Sequence, residues 1–152
     1  MRFPRQIPFI EMLGVELLEQ EPGRVVTGLS LRPELENSWQ VAHGGVTMAM
    51  MDVTAGMALL SVVGAEHGVA TVSLTCHFIS PGRGRLVCEG RLVHRGARLA
   101  TCEAEVRDQE GGLVARAIGT FAVRRGRGHS RSRSRSQSSE TPRASSWGAP
   151  SP

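Results

Sequence analysis

The stretch 44–63 constrains the fold of this chain more than any other part of the sequence, because it is the only long segment patterned as a helix. Within it the polar side chains are few: Thr47, Asp52, Thr54 and Ser61. Apolar residues would therefore lie on every face of the helix, which is typical of a helix buried on all sides. We expect a sheet to wrap this helix and a second copy of the chain to help cover what the sheet leaves exposed.

Most of the sequence around this helix consists of short runs with the apolar and polar alternation of a β-strand. Such runs occur at 15–20, 24–32, 71–78, 85–93, 99–108 and 113–123. In the third run, Val72 and Leu74 should face one side of the sheet, and Thr71 and Ser73 the other. Turn residues separate the runs, so we expect hairpin-like connections and an antiparallel sheet. The predicted fold is α+β, with five or six strands around one long central helix and a short helix at 8–13.

The net charge of +4 belongs to the C-terminal end of the chain. Up to residue 125, 13 arginines balance 13 acidic residues, whereas 126–152 carries five arginines and one glutamate. The second segment is rich in Ser, Arg, Gly and Pro without apolar periodicity, so we predict a folded domain over 1–125 and a disordered tail over 126–152. A neutral domain offers no basic footprint for nucleic acid. The tail contains HSRSRSRSQSS, but its few repeats lack interleaved aromatic residues, which favours an unstructured extension over nucleic-acid binding.

The cysteine pattern and the hydropathy indicate the compartment. Cys76, Cys88 and Cys102 form no CxxC pair, and the histidines show no metal-ligand spacing. We therefore expect reduced thiols, no metal site and a cytoplasmic protein. The sequence has no run of 18 apolar residues, and its N-terminal part lacks the features of a secretory signal, so no membrane association is expected.

The start of the predicted helix, HGGVTMAMMD from His43 to Asp52, carries the residues suited to chemistry. Glycines at a helix start expose backbone N–H groups, and the helix dipole there favours negative charge, so this end could polarise a carbonyl or hold an oxyanion. A carboxylate in a buried helix needs a structural partner or a chemical task. Simpler interpretations stay open: Asp52 could lie on an exposed stripe or bond a neighbouring subunit, His43 could only fix the loop, and the glycines could only permit tight packing.

The two ends of this motif lie too far apart to act on one group within a single chain. Gly44 and Asp52 are eight residues apart in the sequence, which is about 12 Å along a helix. In a two-fold dimer with neighbouring antiparallel helices, the Gly44 amide of one copy could face Asp52 of the other. If both groups act, the site is shared between subunits and occurs twice per dimer.

The segment ENSWQVAHGGVTMAMMDVTAGMAL and the strand region 71–123, which includes SPG, carry a family resemblance. Together they resemble the hotdog-fold acyl-CoA thioesterases, most closely the phenylacetic-acid-degradation (PaaI-type) branch, over about residues 7–124. The family pattern places an Asn six positions before the His of HGG and an Asp nine positions after it, and Asn37, His43 and Asp52 match that spacing. The resemblance implies a curved antiparallel sheet around one helix, in homodimers that often pair into tetramers.

The resemblance also implies roles for individual residues. Asp52 would be the catalytic carboxylate, as nucleophile or as general base on water, and the Gly44 N–H would polarise the thioester carbonyl. Asn37 would help orient that carbonyl or the water, and Thr71 could position water, with Ser73 as the second choice. The remaining members of the predicted site are His43 in the catalytic set, Gly45 at the substrate, and Arg83, Arg95 and Arg98 at the phosphates of coenzyme A.

These features predict hydrolysis of an acyl-CoA thioester with an aryl or medium-chain acyl group. No cofactor is expected, since coenzyme A is part of the substrate. Two other functions on this fold stay open. A hydratase or dehydratase would use a His with an acid in a different arrangement, and a non-catalytic acyl-CoA-binding protein would bind the ligand without turnover.

Overall fold

The computed structural model describes residues 6–125. Within them lie helices α1 (Pro8–Leu13) and α2 (Gly44–Val63) and a short 3-10 helix at Pro33–Leu35. The strands are β1 (Glu16–Glu21), β2 (Arg24–Ser30), β3 (His67–Phe78), β4 (Arg85–Arg95), β5 (Leu99–Arg107) and β6 (Leu113–Arg125). The predicted α+β class, with six strands and one long helix, is confirmed. The tail predicted at 126–152 lies outside the described residues.

The helices end where the sequence supplies residues that stop them. α1 ends at Gly14, whose left-handed backbone (φ 80°) suits glycine because it has no Cβ. α2 ends at Gly64, which also has a positive φ of 94°. The start of α2 comes after His43, whose extended backbone turns the chain into the first helical residue, Gly44. These local signals explain why the predicted helix bounds agree with the structure.

All six strands form one antiparallel sheet in the order β1-β2-β4-β5-β6-β3. Three connections are hairpin-like, as expected: β1–β2, β4–β5 and β5–β6. The expectation is wrong for β3, which pairs with β6, while β4 pairs with β2. The reason is that α2 carries the chain across the sheet, from β2 to the opposite edge. Among the strands of residues 6–125, β3 therefore forms one edge of the sheet.

One face of the sheet packs on α2 and forms the core. Its fully buried members come from both layers: Leu29, Leu86, Cys88, Cys102, Val106 and Phe121 from strands, and Met50, Met51, Ala55 and Leu59 from α2. The main chain of α2 lies close to the sheet at Gly90 of β4, where an added Cβ would lie 2.7 Å from main-chain atoms of Thr54. Packing of α2 on the sheet therefore requires a glycine at this position.

The sheet covers only part of α2. Met48 keeps 43% of its surface exposed, and the residues beyond it on the same face are half-buried: Ala49, Asp52, Val53, Gly56 and Leu60. The prediction of burial on every side is thus correct only for the side that meets the sheet. In the single chain an apolar stripe with one carboxylate lies at the surface.

Among the described residues, α2 is the one helix whose length and apolar composition would suit a membrane span. The core helix of a domain wrapped by a sheet has the same properties. Its contacts with all six strands agree with that second interpretation.

Candidate active site

Asp52 lies on the partly covered side of α2 and is held by a strand residue. Its Oδ1 accepts a hydrogen bond of 2.7 Å from the Thr71 hydroxyl of β3. A bond from a hydroxyl to a carboxylate is charge-assisted, so it fixes the orientation of the carboxylate more firmly than a neutral pair would. One oxygen of Asp52 is therefore held by β3, and the other remains available to a substrate or to water.

A β-bulge in β3 explains why Thr71 reaches Asp52. The pairing of β3 with β6 shifts after Thr71, so that Thr71 lies opposite Phe121 but Ser73 lies opposite Thr120. Phe121 faces the core, and the extra residue, Val72, moves the later residues of β3 to the other phase of the pleat. Thr71 therefore faces α2, whereas Ser73 faces the outer side of the sheet. The prediction that the two share a face is wrong, because strict alternation takes no account of a bulge.

The carboxylate opens onto a cleft of about 360 Å³ between α1, α2 and the β3–β6 edge. Apart from Asp52 and Thr71 its walls are mostly apolar and include Ile7, Phe9, Ile10, Val53, Met57, Leu60, Val69 and Phe121. This volume lies at the lower end of the roughly 300–1,000 Å³ typical of small-molecule pockets. The sequence does not predict the part played by α1, since a six-residue helix carries too little pattern to show which of its faces meets a cleft.

In the described part of the chain, one amide at the N-terminus of α2 is unbonded. His43 caps the helix: its Nδ1 accepts from the Gly45 N–H at 3.0 Å, and its carbonyl accepts from Val46 and Thr47. Among residues 6–125, the Gly44 N–H has no hydrogen-bond partner. This geometry gives His43 a structural task and occupies the Gly45 N–H. Gly44 is left as the donor at the positive end of the helix dipole.

Asn37 and Gly44 both line a second groove, of about 280 Å³. The Oδ1 of Asn37 accepts from the Trp39 N–H at 2.9 Å, which leaves its NH2 group without a partner among the described residues. The tight turn continues through Gln40, which has a positive φ of 58° that is uncommon for a residue with a side chain. The second groove contains Asn37 and Gly44, and the cleft contains Asp52 and Thr71, so a single chain presents the predicted catalytic groups in two separate places.

The three predicted phosphate-binding arginines line neither of these two spaces. Arg83 donates to the Gln40 carbonyl at 3.0 Å and so supports the loop that carries Asn37. Arg95 ends β4, and Arg98 lies in the β4–β5 hairpin. Neither forms an ion pair within the part of the chain that the structure describes, so both guanidinium groups are available to an anion.

The pKa of the Cys76 thiol in β3 depends partly on the charge of Asp52. Partial burial raises the pKa of this thiol, and the negative charge of Asp52 raises it further. The pKa is raised more strongly for the two thiols buried in the core: burial raises the pKa of Cys88 to about 12 and that of Cys102 to about 11. All three cysteines are free thiols, as the sequence predicts.

Residues 40–115 match the family described as the thioesterase superfamily, which is half of the chain and includes the HGG motif, Asp52 and Thr71. The chain belongs to this superfamily. Its sheet order and central helix are those of the hotdog fold. Asn37 lies just before the matched range, so the second groove is only partly covered by it.

Relatives agree with this assignment. The chain is 32% identical over 124 residues to "Putative esterase SSO2140" of Saccharolobus solfataricus, covering 81% of this chain and 88% of the relative. It is 26% identical over 137 residues to the medium/long-chain acyl-CoA thioesterase YigI of Escherichia coli, covering 80% and 88%. Both likenesses extend over nearly all of the described domain.

Solved structures give the same result for the fold. Protein PA5202 of Pseudomonas aeruginosa has a TM-score of 0.75 at 32% identity, over 78% of this chain and 94% of that one. The Escherichia coli PaaI protein of the phenylacetic acid degradation operon has a TM-score of 0.70 at 21% identity, over 75% and 82%. That second likeness supports the fold alone, so membership of the PaaI-type branch stays a prediction.

Proposed function

We propose that this protein hydrolyses an acyl-CoA thioester, with an aryl or medium-chain acyl group, to the free acid and coenzyme A. The observation that carries the proposal is the carboxylate of Asp52, oriented by Thr71 at 2.7 Å and opening onto an apolar cleft. The superfamily and the name of YigI, an acyl-CoA thioesterase, support a thioester as the substrate.

Thioester hydrolysis requires few catalytic groups, because a thioester carbonyl is weakly stabilised by resonance and its thiolate leaves readily. The Gly44 N–H would donate to the carbonyl oxygen and stabilise the negative charge that develops there. Asp52 would either take a proton from the attacking water or attack the carbonyl carbon itself. On the first route water adds to the carbonyl carbon, the C–S bond breaks, and coenzyme A leaves with a proton. On the second route the C–S bond breaks as an anhydride forms between Asp52 and the acyl group, and coenzyme A leaves with a proton. Water then cleaves the anhydride, which gives the free acid and restores the Asp52 carboxylate. These steps need no cofactor.

We further propose that each site is shared by two copies of the chain. Gly44 and Asp52 line separate spaces in one chain, eight helical residues apart, so both can reach one carbonyl only if they come from different chains. The free edge of β3 and the apolar stripe of α2 offer the surface for such a dimer, and Val72 and Phe78 of β3 are 60% and 54% exposed. Exposed apolar patches of this kind mark association surfaces.

The proposal also includes the binding of the acyl group, the binding of coenzyme A and the cellular location. The cleft would hold the acyl group, since its walls are apolar. Arg95 and Arg98 would bind phosphates of coenzyme A, because guanidinium groups bind phosphate in a bidentate manner. A cytoplasmic location fits the free thiols.

The proposal is tested by measuring free-thiol release from a panel of acyl-CoA substrates with the wild type, Asp52→Asn and Asp52→Ala. We expect turnover by the wild type and a loss of at least about 10²-fold in kcat in both variants, as for removal of a catalytic base or nucleophile. Undiminished turnover in both variants would remove Asp52 from the mechanism. Tight binding of acyl-CoA without turnover by the wild type would favour a non-catalytic binding protein.

Sharing of the site is tested by mixing two inactive variants, Asp52→Asn and Gly44→Pro, after unfolding and refolding them together. In a mixed dimer, one site contains neither substitution, so random pairing should restore about a quarter of the wild-type activity. The control is each variant refolded alone. If the mixture stays as inactive as its components although dimers form, both groups belong to one chain and the proposed arrangement is wrong.

A further inference from the structure

Gly56 occupies the middle of α2, where glycine is unfavourable for helix formation. Glycine in a helix interior usually has a packing reason, such as close approach of another backbone. Two strand glycines, Gly90 of β4 and Gly119 of β6, show such an approach, since added Cβ atoms would meet main-chain atoms at 2.7 and 2.9 Å. A Cβ at Gly56 would meet only side-chain carbons of Phe121 and Val69, at 3.7 and 3.8 Å. These are ordinary van der Waals distances, so packing within the chain would accept alanine.

The position of Gly56 offers a different reason. It lies four residues after Asp52 and therefore on the same face of α2, about 6 Å further along the axis. It lines the cleft onto which Asp52 opens, together with Val69 and Phe121, the same side chains that an added Cβ would touch. Its missing side chain thus keeps open the part of the cleft that lies one helical turn beyond the carboxylate.

We propose that Gly56 determines which acyl groups the protein accepts. With the thioester carbonyl at Asp52, the acyl group extends along α2, crosses Gly56 between Val69 and Phe121, and continues toward Leu60. A side chain at this position would occupy the space of the acyl carbons that lie one helical turn beyond the carboxylate, and would block the path toward Leu60, while leaving room at the carboxylate itself. This inference rests on the proposed function, and it adds the residue that limits the length or width of the acyl group.

The test compares wild type, Gly56→Ala and Gly56→Leu in thiol release from butanoyl-, hexanoyl-, octanoyl-, decanoyl-, dodecanoyl- and phenylacetyl-CoA. We expect Gly56→Ala to lower kcat/KM for the longest accepted acyl group about 10-fold relative to the shortest, since one methyl group in an apolar pocket has an effect of this size. Gly56→Leu should restrict the profile to the shortest acyl groups. The preferred acyl length should therefore fall as the side chain grows.

Thermal unfolding and a control variant distinguish a role of Gly56 in acyl selection from a role in folding. Gly56→Ala should raise the thermal unfolding midpoint, because alanine is the better helix former, so lost turnover of long acyl groups would not be a folding defect. Gly68→Ala is the matched control: its Cβ has similar room, 3.8 Å from Arg124, and it does not line the cleft. We expect the control to keep the wild-type length profile.

Two results would overturn the proposal. One is an equal loss of kcat/KM on every acyl group in the Gly56 variants. The other is an unchanged profile in Gly56→Leu. An equal loss combined with a changed sedimentation coefficient would identify Gly56 as a packing residue against another subunit.

The same panel separates this inference from the proposed function, because the wild type alone tests the function. If the wild type hydrolyses none of these substrates, calorimetric binding of the same acyl-CoAs gives the second readout. Affinity should then fall selectively for the longer acyl groups in Gly56→Ala, and equal affinities in wild type and variant would refute the assignment.

Discussion

Replacing Gly44 by proline removes one backbone N–H and little else. Gly44 is the first residue of α2, where proline is favoured because no helical bond uses its N–H. The preceding residue, His43, has φ −62° and ψ 135°, which is the extended conformation that proline requires before it. A Cβ at Gly44 would touch the Phe78 ring at an ordinary 3.5 Å. The fold should therefore accept Gly44→Pro, as it should accept the matched control Gly44→Ala, which retains the N–H.

The expected loss depends on the role of this amide. Among residues 6–125 the Gly44 N–H is unbonded, so its removal breaks no bond within that range and should act on a bound carbonyl. Removing one oxyanion donor typically raises the barrier by about 2.7–4 kcal/mol, or about 10²–10³ in kcat. We place Gly44→Pro near 10², because Gly44 is only half-buried and water can replace part of the lost bond.

The assay is thiol release at saturating acyl-CoA, with circular dichroism and thermal unfolding for each variant. Gly44→Ala should keep kcat within a few-fold of the wild type, whereas Gly44→Pro should lose about 10² with an unfolding midpoint close to that of the alanine variant. If the two variants have the same kcat and the same stability, the amide does not polarise the carbonyl, and the proposed role of the helix N-terminus is refuted.

Four further predictions concern single contacts. Thr71→Val should lower kcat about tenfold through loss of the 2.7 Å bond to Asp52, whereas Thr71→Ser should retain most activity; equal kcat in both would exclude a role for the hydroxyl. Gly90→Ala should destabilise the fold by about 1–3 kcal/mol in urea unfolding, because its Cβ would collide with the main chain of α2. Burial opposes ionisation of Glu89, but hydrogen bonds from two arginines outweigh it and hold its pKa below the ordinary value. Its contribution to the free energy of unfolding is therefore present at neutral pH and lost as the pH falls below about 4. Lowering the pH from 6 to 3 should reduce the free energy of unfolding of Glu89→Gln less than that of the wild type. The difference should be under about 1 kcal/mol, because the Glu89 side chain is partly exposed. Asp52→Asn should speed alkylation of Cys76 at pH 8, since loss of the negative charge lowers the pKa of that thiol; an unchanged alkylation rate would show that the charge does not act there.

Local patterns in the sequence were sufficient for most of the fold. The alternating runs became six strands, and the apolar stretch became α2 with the predicted bounds, because side-chain periodicity and terminating glycines act over a few residues. The spacing of Gly44 and Asp52 along one helix is likewise a property of the sequence, and so is their inability to meet within one chain. The strand order was not predictable, because the pairing of β3 with β6 joins residues that are far apart in the chain.

The candidate site was predicted by residue type but not by arrangement. Thr71 was named without its direction, and the β-bulge that turns it toward Asp52 exists only in the pairing of β3 with β6. The contribution of α1 to the cleft also arises from packing that no single segment specifies, and so does the lack of a partner for the Gly44 N–H within residues 6–125. The sequence alone thus determined which chemical groups the protein carries and on which elements they lie. Tertiary structure decided which of them face each other, because register and packing depend on contacts between distant residues.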